Sequence, residues 1–358
     1  MSIPAFLRRR RALRWLAPVG ALGAAGLAAG GVLTAHVNSD SLRPTTATAL
    51  IAQLRSAQDI GFSGTMLAQL APGLPDLPAV ASDSASRSAL TSGSHSMRFW
   101  YGGPDRQRVA LLAATSETDV FHLGRDVWQW NSDSRVATHS RLPAAASAPA
   151  ASAPAAAAVP VPATLASLSP QQLAGQALAA LTPSTLVSVT TGVDVADRPA
   201  YELVLTPRDH TTRVASVHIE VDGEHGIALG AQVFARGHAE AVIDVSFTSI
   251  TFKTPASDYF EFSPPPDATV RDSTAGDPGA TVTSGSGWTT IAEYRTEPAA
   301  TSYAVASLGP SLRAVSGRWG TGRLLDSPLV CVLLMPDGRV YAGTVDPAAL
   351  YAAAAAHR

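Results

Sequence analysis

From Ser96 to His139 apolar and polar positions alternate with a period of two. Met97, Phe99 and Tyr101 are interleaved with Arg98 and Trp100, Val109 and Leu111 with Arg108 and Ala110, and Trp128 and Trp130 with Val127 and Gln129. Between these runs sit Gly102-Gly103-Pro104-Asp105, Gly124-Arg125-Asp126 and Asn131-Ser132-Asp133-Ser134, all turn-forming. This pattern predicts a meander of short antiparallel strands. A second series runs Leu186–Val195, Tyr201–Thr206, Arg213–Val221, Ile227–Ala235 and Ala241–Phe252, with Asp222-Gly223 and Arg236-Gly237 at the turns. A further strand is expected over Phe62–Gln69. Two stretches keep helical spacing instead. Ala47, Leu50, Ile51, Leu54 and Ala57 follow Thr45 and Thr46, either of which suits an N-cap. Leu173, Ala177, Ala180 and Leu181 follow Ser169-Pro170-Gln171-Gln172, a capping-box pattern with proline at the first helical position.

The fold class expected from this is α+β: a curved antiparallel sheet covered by helices, because long antiparallel sheets curl as their strands twist. Stretches without periodicity mark the divisions. Residues 1–38 form a basic flank followed by an apolar segment, and residues 39–270 the sheet domain. About 142–166 within it is Ala, Pro, Ser and Val, which offers no patterned apolar face and reads as a disordered insertion. Residues 271–287 read as a linker, and 288–358 as a small α/β unit packed on the main sheet. That unit is expected to contain a helix near Ala299–Leu308, strands at Leu329–Met335 and Val340–Val345, and a helix from Asp346-Pro347.

Charge sets the compartment. Arg8, Arg9, Arg10, Arg11 and Arg14 precede Trp15–Ala35, 21 residues without a charged side chain. A basic flank before a membrane-length apolar run predicts a single-pass anchor with the flank inside, or a cleaved signal, with the bulk of the chain extracytoplasmic either way. The remaining 21 Lys and Arg against 28 Asp and Glu leave a formal balance of −7, which does not fit a nucleic-acid partner. Cys331 is the single cysteine, so no intramolecular disulfide forms. Within an apolar run it reads as a core thiol.

The segments "SMRFWYGGPDRQRVALL" and "DVFHLGRDVWQWNSDSRVATH" resemble the LolA/RseB family of envelope proteins in the order of strand, Pro turn, strand, turn and Trp-rich strand. "RPAYELVLTPRD", "VHIEVDGEHGIALGAQVF" and "VSFTSITF…YFEFSPPPDATV" look like its closing strands. The resemblance spans about residues 45–270. It implies a half-open β-barrel with an apolar cavity for acyl chains. It also implies one of two roles: carrying a lipid or lipoprotein acyl chain, or RseB-like binding of a membrane-bound anti-sigma factor or another envelope protein. The chain departs from the carriers in its anchor-length segment, in Gly103 where a basic residue often precedes the proline, and in the Ala/Pro insertion.

An acyl cavity asks for large apolar side chains on the inner face of such a sheet. The candidates are Met97, Phe99, Tyr101, Leu111, Trp128, Trp130, Tyr201, Leu203, Ile219 and Phe247. Arg98, Arg106 and Arg108 around one turn are candidates for a headgroup or a partner's carboxylates. Nothing points to catalysis. His122, His139, His218, His225 and His238 lack metal-ligand spacing, and Thr283-Ser284-Gly285-Ser286-Gly287 lacks nucleophile-elbow spacing. No phosphate loop or dinucleotide fingerprint occurs. The expectation is a non-enzymatic binding protein without metal or cofactor.

Overall fold

Eleven strands of the two alternating series and Phe62–Leu70 join into one sheet in the computed structural model, which describes residues 42–57, 60–71, 93–113, 115–141, 169–273, 282–296, 298, 301–302, 305–306 and 309–356. The first meander comprises β1 (Phe62–Leu70), β2 (Gly93–Tyr101), β3 (Arg106–Leu112), β4 (Glu117–Leu123), β5 (Asp126–Asn131) and β6 (Val136–Arg141). The second comprises β7 (Thr185–Val195), β8 (Arg198–Pro207), β9 (Val214–Asp222), β10 (Ala228–Ala235) and β11 (Ala241–Thr251). With β12 (Thr269–Ser273) the order is β12-β6-β5-β4-β3-β2-β1-β11-β10-β9-β8-β7. Every neighbour pair is antiparallel except β12 with β6. β7 lies four strands from β11, roughly 19 Å across a flat sheet. The two nevertheless touch, so that end of the sheet is rolled, and the sheet remains open.

Two helices cover the inner face. α1 (Ala47–Ser56) starts where Thr46 Oγ1 accepts from the Ala49 amide at 3.2 Å, and it buries Leu50 and Leu54. α2 (Pro170–Ala179) starts at a complete capping box between Ser169 and Gln172 and buries Leu173, Ala174, Ala177 and Leu178. Beneath them lies the main core, from Phe62 and Met66 through Val245 and Phe247 to Ile219, Leu203 and Leu205. Gly64 is required on β1, because a Cβ there would meet the Ser249 carbonyl and the Phe247 ring.

A second sheet contains β13 (Val282–Ser284), β14 (Ile291–Arg295), β15 (Leu312–Gly317), β16 (Gly320–Asp326), β17 (Cys331–Leu334) and β18 (Arg339–Gly343), in the order β13-β14-β18-β17-β16-β15. α3 (Pro347–Ala356) packs on β16–β18. The 271–287 stretch expected as a linker thus holds the end of β12 and all of β13. β12 exists through its pairing with β6, Thr269 opposite Val136 to Ser273 opposite Ser140, a partner that local composition does not reveal. The β15–β16 hairpin was not expected either.

The two sheets meet along Thr212 and Arg213. Thr212 bridges to Val345, the Arg213 amide donates to the Thr344 carbonyl at 2.7 Å, and its guanidinium pairs with Asp326 at 2.7 Å and Asp346 at 3.2 Å. No helix among the described residues is long and apolar enough to cross a membrane. The Trp15–Ala35 run and the 142–166 insertion lie outside the described residues.

Candidate functional site

The pairing registers assign every candidate to a face. Met97 lies opposite Leu111, Met66 opposite Phe247, Tyr201 opposite Val221 and Leu203 opposite Ile219, all on the helix-covered inner face. Met97, Phe99, Leu111, Tyr201, Leu203, Ile219 and Phe247 are at most 9 % exposed and belong to the packed core. Phe99, Tyr101 and Phe247 close around Phe62 with ring centroids 5.2–5.8 Å from it. The Tyr201 hydroxyl donates to the Arg43 carbonyl at 2.6 Å, pinning the chain that leads into α1. These side chains are brought together, but as the filling beneath α1 and α2.

Trp128 and Trp130 do not join them. The two-residue turn Gly124-Arg125 puts Trp128 opposite Phe121 and Trp130 opposite Asp119, on the outer face. Arg98, Arg106 and Arg108 share that face, since Trp100 lies opposite Arg108 and Arg98 opposite Ala110. The placement of the two tryptophans in an inner cavity is therefore corrected: Trp128 and Trp130 are the larger set on β5, but the turn register puts the smaller Val127 and Gln129 on the inner face. The outer face is covered by the chain after β11. Phe262 lies among Phe121, Trp128 and Trp130 at 4.8, 5.5 and 6.1 Å, and Tyr259 stacks on Trp100 at 5.9 Å. Arg108 is held between Trp100 and Phe121 at 4.7 and 4.6 Å and pairs with the buried Asp119 at 2.7 Å. Burial outweighs that pairing and pushes the Asp119 carboxyl up to about 6. Arg106 donates to the Gly102 carbonyl at 2.8 Å, whereas Arg98 is exposed. Arg106 and Arg108 are thus engaged within the fold.

An apolar cavity of about 180 Å³ lies where the inner face meets the second sheet. Leu173 and Ala177 of α2, Val217, Val233 and Ile243 of β9–β11 and Trp288 before β14 line it. Gln176, Thr290 and Thr344 supply its polar groups. Trp288 is fixed by its indole N–H, which donates to Thr185 Oγ1 at 2.9 Å. None of these residues is among the sequence candidates, although Val217, Val233 and Ile243 follow the inner-face alternation. Their signal was the period. The wall contributed by Trp288 has no local signal.

His139 stacks on Trp128 at 4.5 Å and bonds Asp126 at 2.9 Å, His218 bonds Glu202 at 2.9 Å, and His225 bonds Asp222 at 3.0 Å. Among the described residues no group of three or more His, Cys, Asp or Glu could hold a metal ion. Cys331 is fully buried, and burial pushes its thiol up to about 12, which keeps it out of thiolate chemistry.

No family model and no curated protein matches the chain by sequence. A comparison with solved structures does find matches. One of the Pseudomonas aeruginosa MucA/MucB complex is 14 % identical at a TM-score of 0.44, over 86 % of this chain and 96 % of that one. A structure of MucB is 15 % identical at 0.43, over 87 % and 96 %. A LolA superfamily protein of Nitrosomonas europaea is 12 % identical at 0.26, over 61 % and 99 %. In these comparisons the chain is similar to MucB and to LolA superfamily proteins, the likeness that its own strand and turn pattern carries.

Proposed function

We propose that this chain is a membrane-tethered, extracytoplasmic binding protein that holds an acyl chain of a lipid or lipoprotein in the cavity between α2, β9–β11 and the second sheet. The cavity is the observation that carries the reading. Its wall is largely apolar, its few polar groups are neutral, and it continues the apolar interior of the rolled sheet. Each methylene buried there contributes about 0.8 kcal/mol. At about 180 Å³ it is smaller than the roughly 300–1,000 Å³ of sites for drug-sized ligands. A chain longer than a few methylenes therefore requires the two sheets to part along the Thr212–Arg213 contact. Binding is reversible and has no covalent step.

The test is displacement of a fluorescent fatty acid from the full chain in mild detergent, with native mass spectrometry of protein taken from its own host. Ala177→Phe, which fills the cavity, is expected to weaken the probe at least about tenfold, roughly 1.4 kcal/mol, while leaving the melting temperature near wild type. Equal binding by wild type and a folded Ala177→Phe variant would rule the site out.

The outer face favours a second reading, an RseB-like regulator that binds an anti-sigma factor or another envelope protein. Half-buried Trp100, Trp128 and Trp130, the 45 % exposed Tyr259 and exposed Arg98 are the residue types that dominate protein-binding surfaces. On this reading, Trp130→Ala with Arg98→Ala abolishes capture of an envelope protein that Ala177→Phe still captures. Capture unchanged by the double variant removes the reading.

A further inference from the structure

Beside the inner-face core, the outer face of β8–β11 carries a group that the lipid-binding reading does not use. Glu220 is only 7 % exposed, and its Oε2 is buried without a hydrogen-bond partner. An unpaired buried carboxylate oxygen is costly, whereas a protonated carboxyl removes most of that cost. The space it occupies is made by a glycine. Gly230 lies opposite Glu220 across the β9–β10 pair, and a Cβ at that position would strike Oε2. The chain therefore omits a side chain at the one place where the carboxyl lies down on the sheet.

The surrounding charges supply no counter-ion. On β8, Glu202 sits directly opposite Glu220, and like charges in that position destabilise a strand pair. Glu202 is itself engaged by His218 of β9 at 2.9 Å and by Thr190 of β7 at 2.9 Å. On β10, Gln232 donates to Asp244 of β11 at 3.1 Å, and Ser246 faces Gly230. The charged groups acting on Glu220 are Asp244 and Glu202, both acids.

We propose that Glu220 is a proton-binding site built into the sheet, protonated when the chain folds and loosening the β8–β10 seam when it ionises. Burial, reinforced by the two neighbouring acids, outweighs a hydrogen bond from the backbone of Glu220 itself and pushes its carboxyl from the ordinary 4.5 up to about 7. The folded state holds this proton more tightly than the unfolded chain does. The stabilisation is therefore complete below the unfolded value and is lost as pH rises through the folded one. Asp244 is raised by burial and Asp119 is raised to about 6, so both add to the same slope. The signature of Glu220 is thus a difference between two proteins.

Melting temperatures of the full chain in mild detergent, from pH 4 to 8.5, are to be compared for wild type and Glu220→Gln, which keeps the shape without the charge. The two should coincide at the acid end. Above pH 7 wild type should melt lower than the variant, whose pH slope is shallower. Parallel curves would overturn the proposal. Carbon-13 titration of glutamate carboxyls in wild type reads the same site even where the variant fails to fold. One resonance with its midpoint above pH 6 is expected, and titration of every glutamate below pH 5.5 would overturn the assignment.

Discussion

Phe62→Ala is expected to cost about 3–5 kcal/mol of folding free energy, measured by urea denaturation. Phe62 is 2 % exposed and opens β1, with Phe99 and Tyr101 on one side and Phe247 and Phe252 on the other. Its ring is the point where aromatic side chains of both meanders meet. Truncation removes the transfer free energy of the ring and leaves a hole walled by four rings, each fixed on a paired strand or just beyond one, so the site collapses poorly. Phe62→Leu should recover most of the loss. A cost below about 1.5 kcal/mol for the alanine variant would mean that the two halves of the sheet do not depend on this contact.

Asp222→Ala is expected to cost about 1.5–3 kcal/mol, because it removes the fully buried acceptor of the bonds from Arg198 and the His225 amide and leaves Arg198 with the exposed Glu224 at 2.9 Å. Asp222 at the end of β9 has no exposed surface and takes hydrogen bonds from Arg198 and from the His225 amide, the latter at 2.6 Å. Arg198 in turn lies over Phe252 at 4.7 Å, and His225 stacks on the same ring at 3.8 Å. Burial raises the Asp222 carboxyl, but the bonds from Arg198 and His225 outweigh it and hold it below its ordinary value. A depressed folded value means stability that is present above the unfolded value and is lost as pH falls through the folded one. Asp222→Ala should therefore flatten the acid limb of the stability curve, in the opposite sense to Glu220→Gln at the alkaline end. An unchanged acid limb would show that the carboxylate is not the group whose protonation unfolds the corner.

The strands of both meanders were legible because each has one face under helices, and a buried face imposes a period of two. The starts of α1 and α2 were legible because Thr46 and Ser169 cap them locally. Faces were less so. Trp128 and Trp130 look like the inward set of β5 beside Val127 and Gln129, yet the inward set is the smaller one. The covering that makes room for tryptophan outside comes from Phe262, far along the chain. The acyl candidates Met97, Phe99, Leu203 and Ile219 lie on the helix-covered face. Periodicity is silent on what fills the space in front of them, and α1 and α2 fill it. β12 and the wall made by Trp288 rest on partners distant in sequence, and no local pattern encodes those.

The seam between β1 and β11 joins Ser63 to Thr251 and Leu70 to Ile243, so strands far apart in sequence lie side by side. Each meander is built from neighbours in sequence, while the chain between them must travel from the β6 end of the sheet to the β7 end. Closing so long a loop is entropically slow and is rewarded only after both sides exist. The two meanders are therefore expected to form first and unite late, which φ-values at Met66 and Phe247 of the β1–β11 seam would test. Until that union a nascent chain presents two bare strand edges, β1 and β11, which are open to pairing with another copy. A chain of this topology has a kinetic reason to meet its helices, and any chaperone that shields edges, before its first and last strands find each other.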